Sequence, residues 1–140
     1  MAREVMSVRV SAETRTRLQH AAALAGEPAA SLAERLIEEG LRQRAHPLIR
    51  FVDGPTGRRA RLPVGPDVWE LVTFVRRSEA GTGDKVAHAA GWFGVPGAHV
   101  EAGLAYAGAF PAEIDDRIRV NEEAQAEAEA MAQARQQLLG

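Results

Sequence analysis

The stretch Met6-Ser7-Val8-Arg9-Val10, running on into Ser11-Ala12-Glu13, decides how this chain is read. It alternates with a period of two, so Met6, Val8 and Val10 share one face of an extended strand and Val5, Ser7 and Arg9 share the other. Ser11 offers a helix N-cap and Glu13 falls in the first turn, so the strand should pass directly into a helix. A lone strand cannot satisfy its own backbone groups, and no partner strand lies within about the next forty residues. The simplest partner is the same strand of a second chain. The pair would make a two-stranded ribbon with one apolar face down and one polar face out, a shape that fits the major groove of DNA.

Outward from this stretch, two helices are expected. The first runs from Ala12 to Ala25, with Leu18, Ala21, Ala22, Leu24 and Ala25 as its apolar stripe and Gly26 as its stop. The second runs from Pro28 to Arg44. There Leu32, Leu36 and Gly40 form one row and Ala33, Ile37 and Leu41 the next, a stripe broad enough to face both its own chain and a dimer mate. Gly40 costs helix stability, which a close backbone approach would explain. Glu38 and Arg42 form a favourable i, i+4 pair.

Further on, Leu48 to Val52 and Arg58 to Leu62 read as two short strands around the turn Asp53-Gly54-Pro55-Thr56-Gly57. Asp67 opens a helix carrying Val68, Leu71, Val72 and Val75 on one face. A flexible link is expected from Glu79 to Gly83, and Asp84 is expected to cap a short helix to Ala90. Gly94-Val95-Pro96 reads as a turn and Gly97 to Ala109 as a helix. Pro111 starts the last helical stretch, anchored by Ile114 and Ile118. Beyond Glu122 only Met131, Leu138 and Leu139 are large and apolar, so the tail has helix propensity but should fray alone. Trp69, Trp92, Phe93, Tyr106 and Phe110 are expected in the core of this second part. Trp92 and Phe93, flanked by Gly91 and Gly94, are also candidate anchors for a partner.

A chain of 140 residues suits one domain or two small ones. With aromatic residues at only 5%, its core must rest on Leu, Val, Ile and Ala, which favours small units sharing a dimer interface. There is no cysteine, so disulfides and thiolate zinc sites are excluded. No apolar run reaches membrane length and the N-terminus lacks a signal-like segment, so the expected location is cytoplasmic, on the nucleoid, with no membrane partner. The net charge of −2 conceals an asymmetry. Residues 1–66 hold eleven arginines against seven acids, a net of +4, and residues 67–140 hold six basic residues against twelve acids, a net of −6. A GC-rich genome accounts for the preference for arginine; the asymmetry points to two different partners.

Residues 3–44 resemble the ribbon-helix-helix family of bacterial repressors and antitoxins. The likeness rests on the alternation Met6-Val8-Val10, on Leu18, on Gly26 between the helices, and on Leu32, Leu36 and Leu41. It implies an obligate homodimer whose paired strands enter the major groove of an operator in double-stranded DNA. Val5, Ser7 and Arg9 would then face the bases: Arg9 toward guanine O6 and N7, Ser7 as donor or acceptor, Val5 against a thymine methyl. Arg3 and the second-helix amides of Ala29, Ala30 and Ser31 would hold phosphate. Small hydroxyl residues are usual near that helix start, whereas this chain has Pro28, Ala29 and Ala30 before Ser31, which weakens the phosphate grip. Residues 48–120 resemble the domain-of-unknown-function 433 family found beside antitoxins. The residues behind this are Gly57-Arg58-Arg59-Ala60-Arg61-Leu62, Val68-Trp69-Glu70, Val95-Pro96, Val100 and Leu104-Ala105-Tyr106. That likeness implies a toxin partner of the PIN ribonuclease type.

Other motifs weigh less. Residues 86–104 fit a helix-turn-helix, with Ala90, Gly94, Val95 and Val100 at its small, turn and core positions. Its second helix exposes Gly97, Ala98, His99, Glu101 and Ala102 where a DNA reader needs Arg or Lys, so it reads as a scaffold for protein contact. Gly54 to Arg59 lacks the spacing of a phosphate loop and reads as a turn; Arg58, Arg59 and Arg61 are left to DNA backbone, an acidic partner or solvent. His20, His46, His88 and His99 are scattered, and no nucleophile–base pattern appears, so no metal, cofactor or catalytic residue is expected. Glu122, Glu123, Glu127 and Glu129 in the tail are read either as a solvated helix face or as an arm that folds on a basic toxin cleft.

The expected fold is mainly α. A ribbon-helix-helix dimer with an intermolecular antiparallel β-ribbon occupies 1–46. A small helical, helix-turn-helix-like domain with a short β-hairpin occupies 47–120, and an acidic tail, helical or frayed, occupies 121–140. The expected function is that of a dimeric repressor, with a dimer of dimers left open, serving as the autoregulating antitoxin of a toxin. The alternative is a free-standing transcription factor whose second domain senses a ligand or sets the oligomer.

Overall fold

The structure, a computed structural model, describes residues 2–79 and 81–140. Residues 2–10 form neither helix nor strand in the single chain. A strand needs a partner to complete its ladder, and the partner expected for Met6–Val10 is another copy. Helix α1 spans Ala12–Ala25. Ser11 Oγ accepts the Thr14 amide at 3.1 Å, the N-cap its hydroxyl suits it for. The helix stops at Gly26, where φ is +67°. The Gly26 amide donates to the Ala23 carbonyl at 3.2 Å and the Glu27 amide to Ala22 at 3.1 Å, a paired closure that requires the left-handed residue glycine supplies. Helix α2 spans Ala29–Ala45.

The chain divides into two compact units, one ending at Arg42 and the other running from Gln43 to Gly140. The division falls inside α2, a few residues before the His46–Pro47 boundary expected from sequence. The reason is local: the last residues of α2 are tied to the second unit. Gln43 Nε2 donates to the Ile49 carbonyl at 3.3 Å, and the His46 ring lies 5.3 Å from that of Tyr106, edge on.

In the second unit, β1 (Arg50–Val52) pairs antiparallel with β2 (Arg59–Arg61), with Phe51 opposite Ala60. The hairpin turn closes by reciprocal bonds between Gly54 and Gly57 at 3.0 and 3.1 Å. Then come α3 (Val68–Arg77), α4 (Thr82–Phe93), α5 (Gly97–Ala109) and α6 (Pro111–Leu139). Ile49, Leu62, Val68, Leu71, Val100 and Tyr106 are fully buried at the centre. Gly103 lets α5 approach closely, since a Cβ there would lie 2.6 Å from Leu71 Cδ2 and 3.1 Å from Leu62 Cδ2. Tyr106 keeps its hydroxyl satisfied by donating to Glu113 at 2.6 Å.

Two expectations change here. The cap of α4 is Gly81 and the helix runs from Thr82 to Phe93, so Asp84 sits in its first turn and Ala90 is not its end. Of the link expected at Glu79–Gly83, Ala80 lies outside the described residues. Trp92 is 70% exposed rather than part of the core, while Trp69, Phe93 and Phe110 are partly buried. Of the two readings of the tail, helical or frayed, the structure has the helix: α6 continues to Leu139, with residues 125–140 exposed. Ala, Glu and Gln have strong helix propensity, and exposed pairs such as Gln125 with Glu129 at 3.0 Å add to it.

Candidate functional site

The first unit carries the residues expected to meet DNA. Val5, Ser7 and Arg9 are exposed in the extended run ahead of α1. Arg9 has no ion-pair partner among the described residues. Arg3, expected on phosphate, instead lies 2.5 Å from Glu34 of α2 in an exposed pair. Such a pair is worth little in water, so a phosphate could displace the carboxylate. At the start of α2, Ala29 is partly buried and Ala30 and Ser31 are exposed. The first helical bond at this end is Leu32 N–H to the Pro28 carbonyl at 3.1 Å, so the amides of Ala29, Ala30 and Ser31 precede the ladder and point from a positive helix end. The neighbouring carboxylate of Glu27, which would oppose an anion, is paired with Arg35 at 2.9 Å.

Behind these residues the unit has almost no core of its own. Among its described residues only Ala22 and Leu32 are buried hydrophobics. Met6, Val8 and Val10 are 69, 64 and 55% exposed, and Leu24, Leu36, Ile37 and Leu41 are also open to solvent. Gly40 meets nothing within 4 Å of where a Cβ would stand, so the close approach expected there does not come from the chain itself.

The second unit treats its charges differently. Arg59 Nε lies 2.5 Å from Oδ2 of Asp67, a buried carboxylate that also accepts from Trp69 Nε1 at 3.1 Å. Arg58 faces Asp53 at 3.4 Å, and Arg61 donates to the Gly65 carbonyl at 3.0 Å. These three arginines, left open by the sequence to DNA, partner or solvent, are engaged inside the hairpin and its junction with α3. The α4–turn–α5 segment has the expected turn: Gly94 at φ +67°, then Val95 buried and donating to the Ala90 carbonyl at 3.0 Å. Ala98 and Glu101 stand exposed on α5. Glu122, Glu123, Glu127 and Glu129 are exposed on α6, with Arg77 3.8 Å from Glu122 and Arg119 3.2 Å from Glu123.

Between α3 and α4 lies an open groove of about 770 Å³. Trp69, Thr73, Phe74 and Arg77 line it from α3, and Asp84, His88 and Phe93 from α4. Phe74 is its centre: its ring stacks on His88 at 5.1 Å and on Trp92 at 5.5 Å, and meets Phe93 edge on at 5.3 Å. The sequence reading missed this site. The signal it carried was the i, i+4 spacing of Trp69, Thr73 and Arg77 and of Asp84 and His88, which puts each set on one helix face. That the two faces meet is a matter of tertiary packing.

No family model, curated protein or solved structure matches the chain. Its function must therefore be read from its own residues. Among the described residues there is no group of three or more side chains suited to a metal ion, and no helix long and apolar enough to cross a membrane.

Proposed function

We propose that the protein is a dimeric, sequence-specific DNA-binding repressor of the ribbon-helix-helix type. The observation that carries this reading is the unfinished state of the first unit. It is a unit of about forty residues that buries two apolar side chains and leaves seven others from Met6 to Leu41 in water. Each would contribute about 1.5–3 kcal/mol if fully covered, and a unit of this size lacks the core to stand alone. A second copy supplies both the missing core and the missing strand partner. Pairing Met6–Val10 across a two-fold axis points Met6, Val8 and Val10 toward the helices and leaves Val5, Ser7 and Arg9 outward. The outward set offers a small apolar side chain, a hydroxyl and a guanidinium, the kinds of group that read base edges directly. The unbonded amides of Ala29, Ala30 and Ser31, with Arg3, serve as phosphate contacts.

The second half of the reading is an antitoxin. The net negative second unit carries an exposed helical arm with Glu122, Glu123, Glu127 and Glu129, suited to covering a basic toxin cleft. The alternative, a free-standing transcription factor with a ligand-sensing second unit, draws support from the aromatic groove.

Fluorescence anisotropy on the DNA upstream of the gene, against a scrambled duplex at two salt concentrations, tests the first part. Tight, sequence-dependent binding that weakens with salt is the expected result. Equal binding to both duplexes removes the repressor reading. Sedimentation at the same concentrations should give a dimer, and co-purification with the product of a neighbouring gene separates the antitoxin from the free-standing factor.

A further inference from the structure

We propose that the groove between α3 and α4 is a binding site for a planar organic cation. The site lies wholly in the second unit, so it goes beyond the DNA reading and does not rest on it. Its volume of about 770 Å³ is that of sites that enclose drug-sized molecules. Its walls are rings: Trp69, Phe74 and Phe93 are each partly buried. They are also held in place. Trp69 Nε1 donates to Asp67 at 3.1 Å, and Phe74 stacks on His88 and Trp92 of α4, with interplanar angles of 29° and 25°. Flat walls that are already ordered lose little freedom when a flat ligand slides against them.

Charge selects the ligand. Glu70, Glu79 and Asp84 line the groove, and the guanidinium there is Arg77. Arg77 is itself exposed, 3.8 Å from Glu122 outside the lining. Glu79 and Asp84 have no ion-pair partner among the described residues. An anion entering the groove would face the carboxylates of Glu70, Glu79 and Asp84 against the single guanidinium of Arg77. A neutral ring system would stack but gain nothing from the carboxylates. A flat cation meets both features, with its charge near Glu79 and Asp84 and its body on aromatic faces whose quadrupole also favours positive charge.

The test uses the full chain, freed of nucleic acid, titrated into ethidium as the planar cation and into fluorescein as a planar anion of similar size, with anisotropy as the readout. Saturable ethidium binding, about tenfold or more tighter than fluorescein, is expected. Asp84→Asn and Glu79→Gln are exposed substitutions that leave the core untouched, and each should weaken ethidium by about three- to tenfold. Phe74→Leu keeps apolar volume and removes the central ring, and should weaken it by about tenfold with circular dichroism unchanged. Arg9→Ala, in the other unit, should leave ethidium binding as it was, which keeps this result separate from any outcome on DNA. The proposal is overturned if wild-type protein shows no saturable ethidium binding, if fluorescein binds as well, or if both carboxylate variants bind like wild type.

Discussion

The two units of this chain solve the same problem in opposite ways. From Gln43 onward the protein buries Ile49, Leu62, Val68, Leu71, Val100 and Tyr106 completely, and even its buried carboxylate Asp67 has an arginine and an indole N–H. Up to Arg42 the chain has equally good helices, the first properly started at Ser11 and stopped at Gly26, yet most of its large apolar residues face water. Good local structure is thus independent of a finished core. Capping and periodicity make a helix, but only a second surface makes it stable. On the proposed reading the first unit is half of a dimer, with Val5, Ser7 and Arg9 on the side left outward.

The largest expected effect is at Ile37. In an isolated chain Ile37→Glu would be a surface change on a helix, within about 0.5 kcal/mol of neutral. In the proposed dimer it places an unpaired carboxylate in the interface twice, and should cost about 3 kcal/mol or more. Sedimentation should then show monomer, and hydrogen exchange should show loss of protection up to Arg42 with the second unit unchanged. A stable, protected Ile37→Glu monomer would erase the contrast between the units.

Next is Arg59→Met, which strands buried Asp67 in the second unit and should lower that unit's stability by about 3 kcal/mol in denaturant titration. Dimerisation and DNA binding should survive at low denaturant, since the affected charge pair lies in the other unit. Arg9→Ala should cost about 1–3 kcal/mol on specific DNA and nothing on dimerisation. A loss that is equal on all sequences would demote Arg9 to a phosphate contact. The smallest effect is at Gly103. An alanine Cβ there meets fully buried Leu71 and Leu62, an overpacking cost of about 1–3 kcal/mol that the better helix propensity offsets by about 1 kcal/mol. Thermal unfolding of the second unit should therefore shift down modestly, with the first unit unaffected.

Much of the local structure was legible in the residues. The bounds of α1 and α5 are set by Ser11, Gly26, Pro96 and Pro111, because caps and prolines act within one turn of the backbone. The hairpin was legible in the Gly/Pro turn between the short runs Leu48 to Val52 and Arg58 to Leu62. Where the reading missed, the cause was a partner distant in sequence. Arg59 and Arg61 looked like a free basic strand face, and it took the junction with α3 to bring Asp67 and the Gly65 carbonyl to them. Trp92 reads from sequence either as core or as an exposed anchor beside Gly91, and its position on α4 leaves it stacked on Phe74 at the surface. Asp84 looked like a cap, but Gly81 already begins the helix.

By itself the sequence determined the mainly helical class, the division into a basic front and an acidic back, and the two-faced run Met6–Val10, because period, caps and charge are properties of neighbouring residues. Tertiary structure alone decided where the unit boundary falls within α2, which arginines are engaged inside the fold, and that α3 and α4 enclose an aromatic groove with an acidic rim. Those depend on which helix faces meet. Meeting is set by shape and volume across the core, as at Gly103 against Leu71, and no local pattern encodes it.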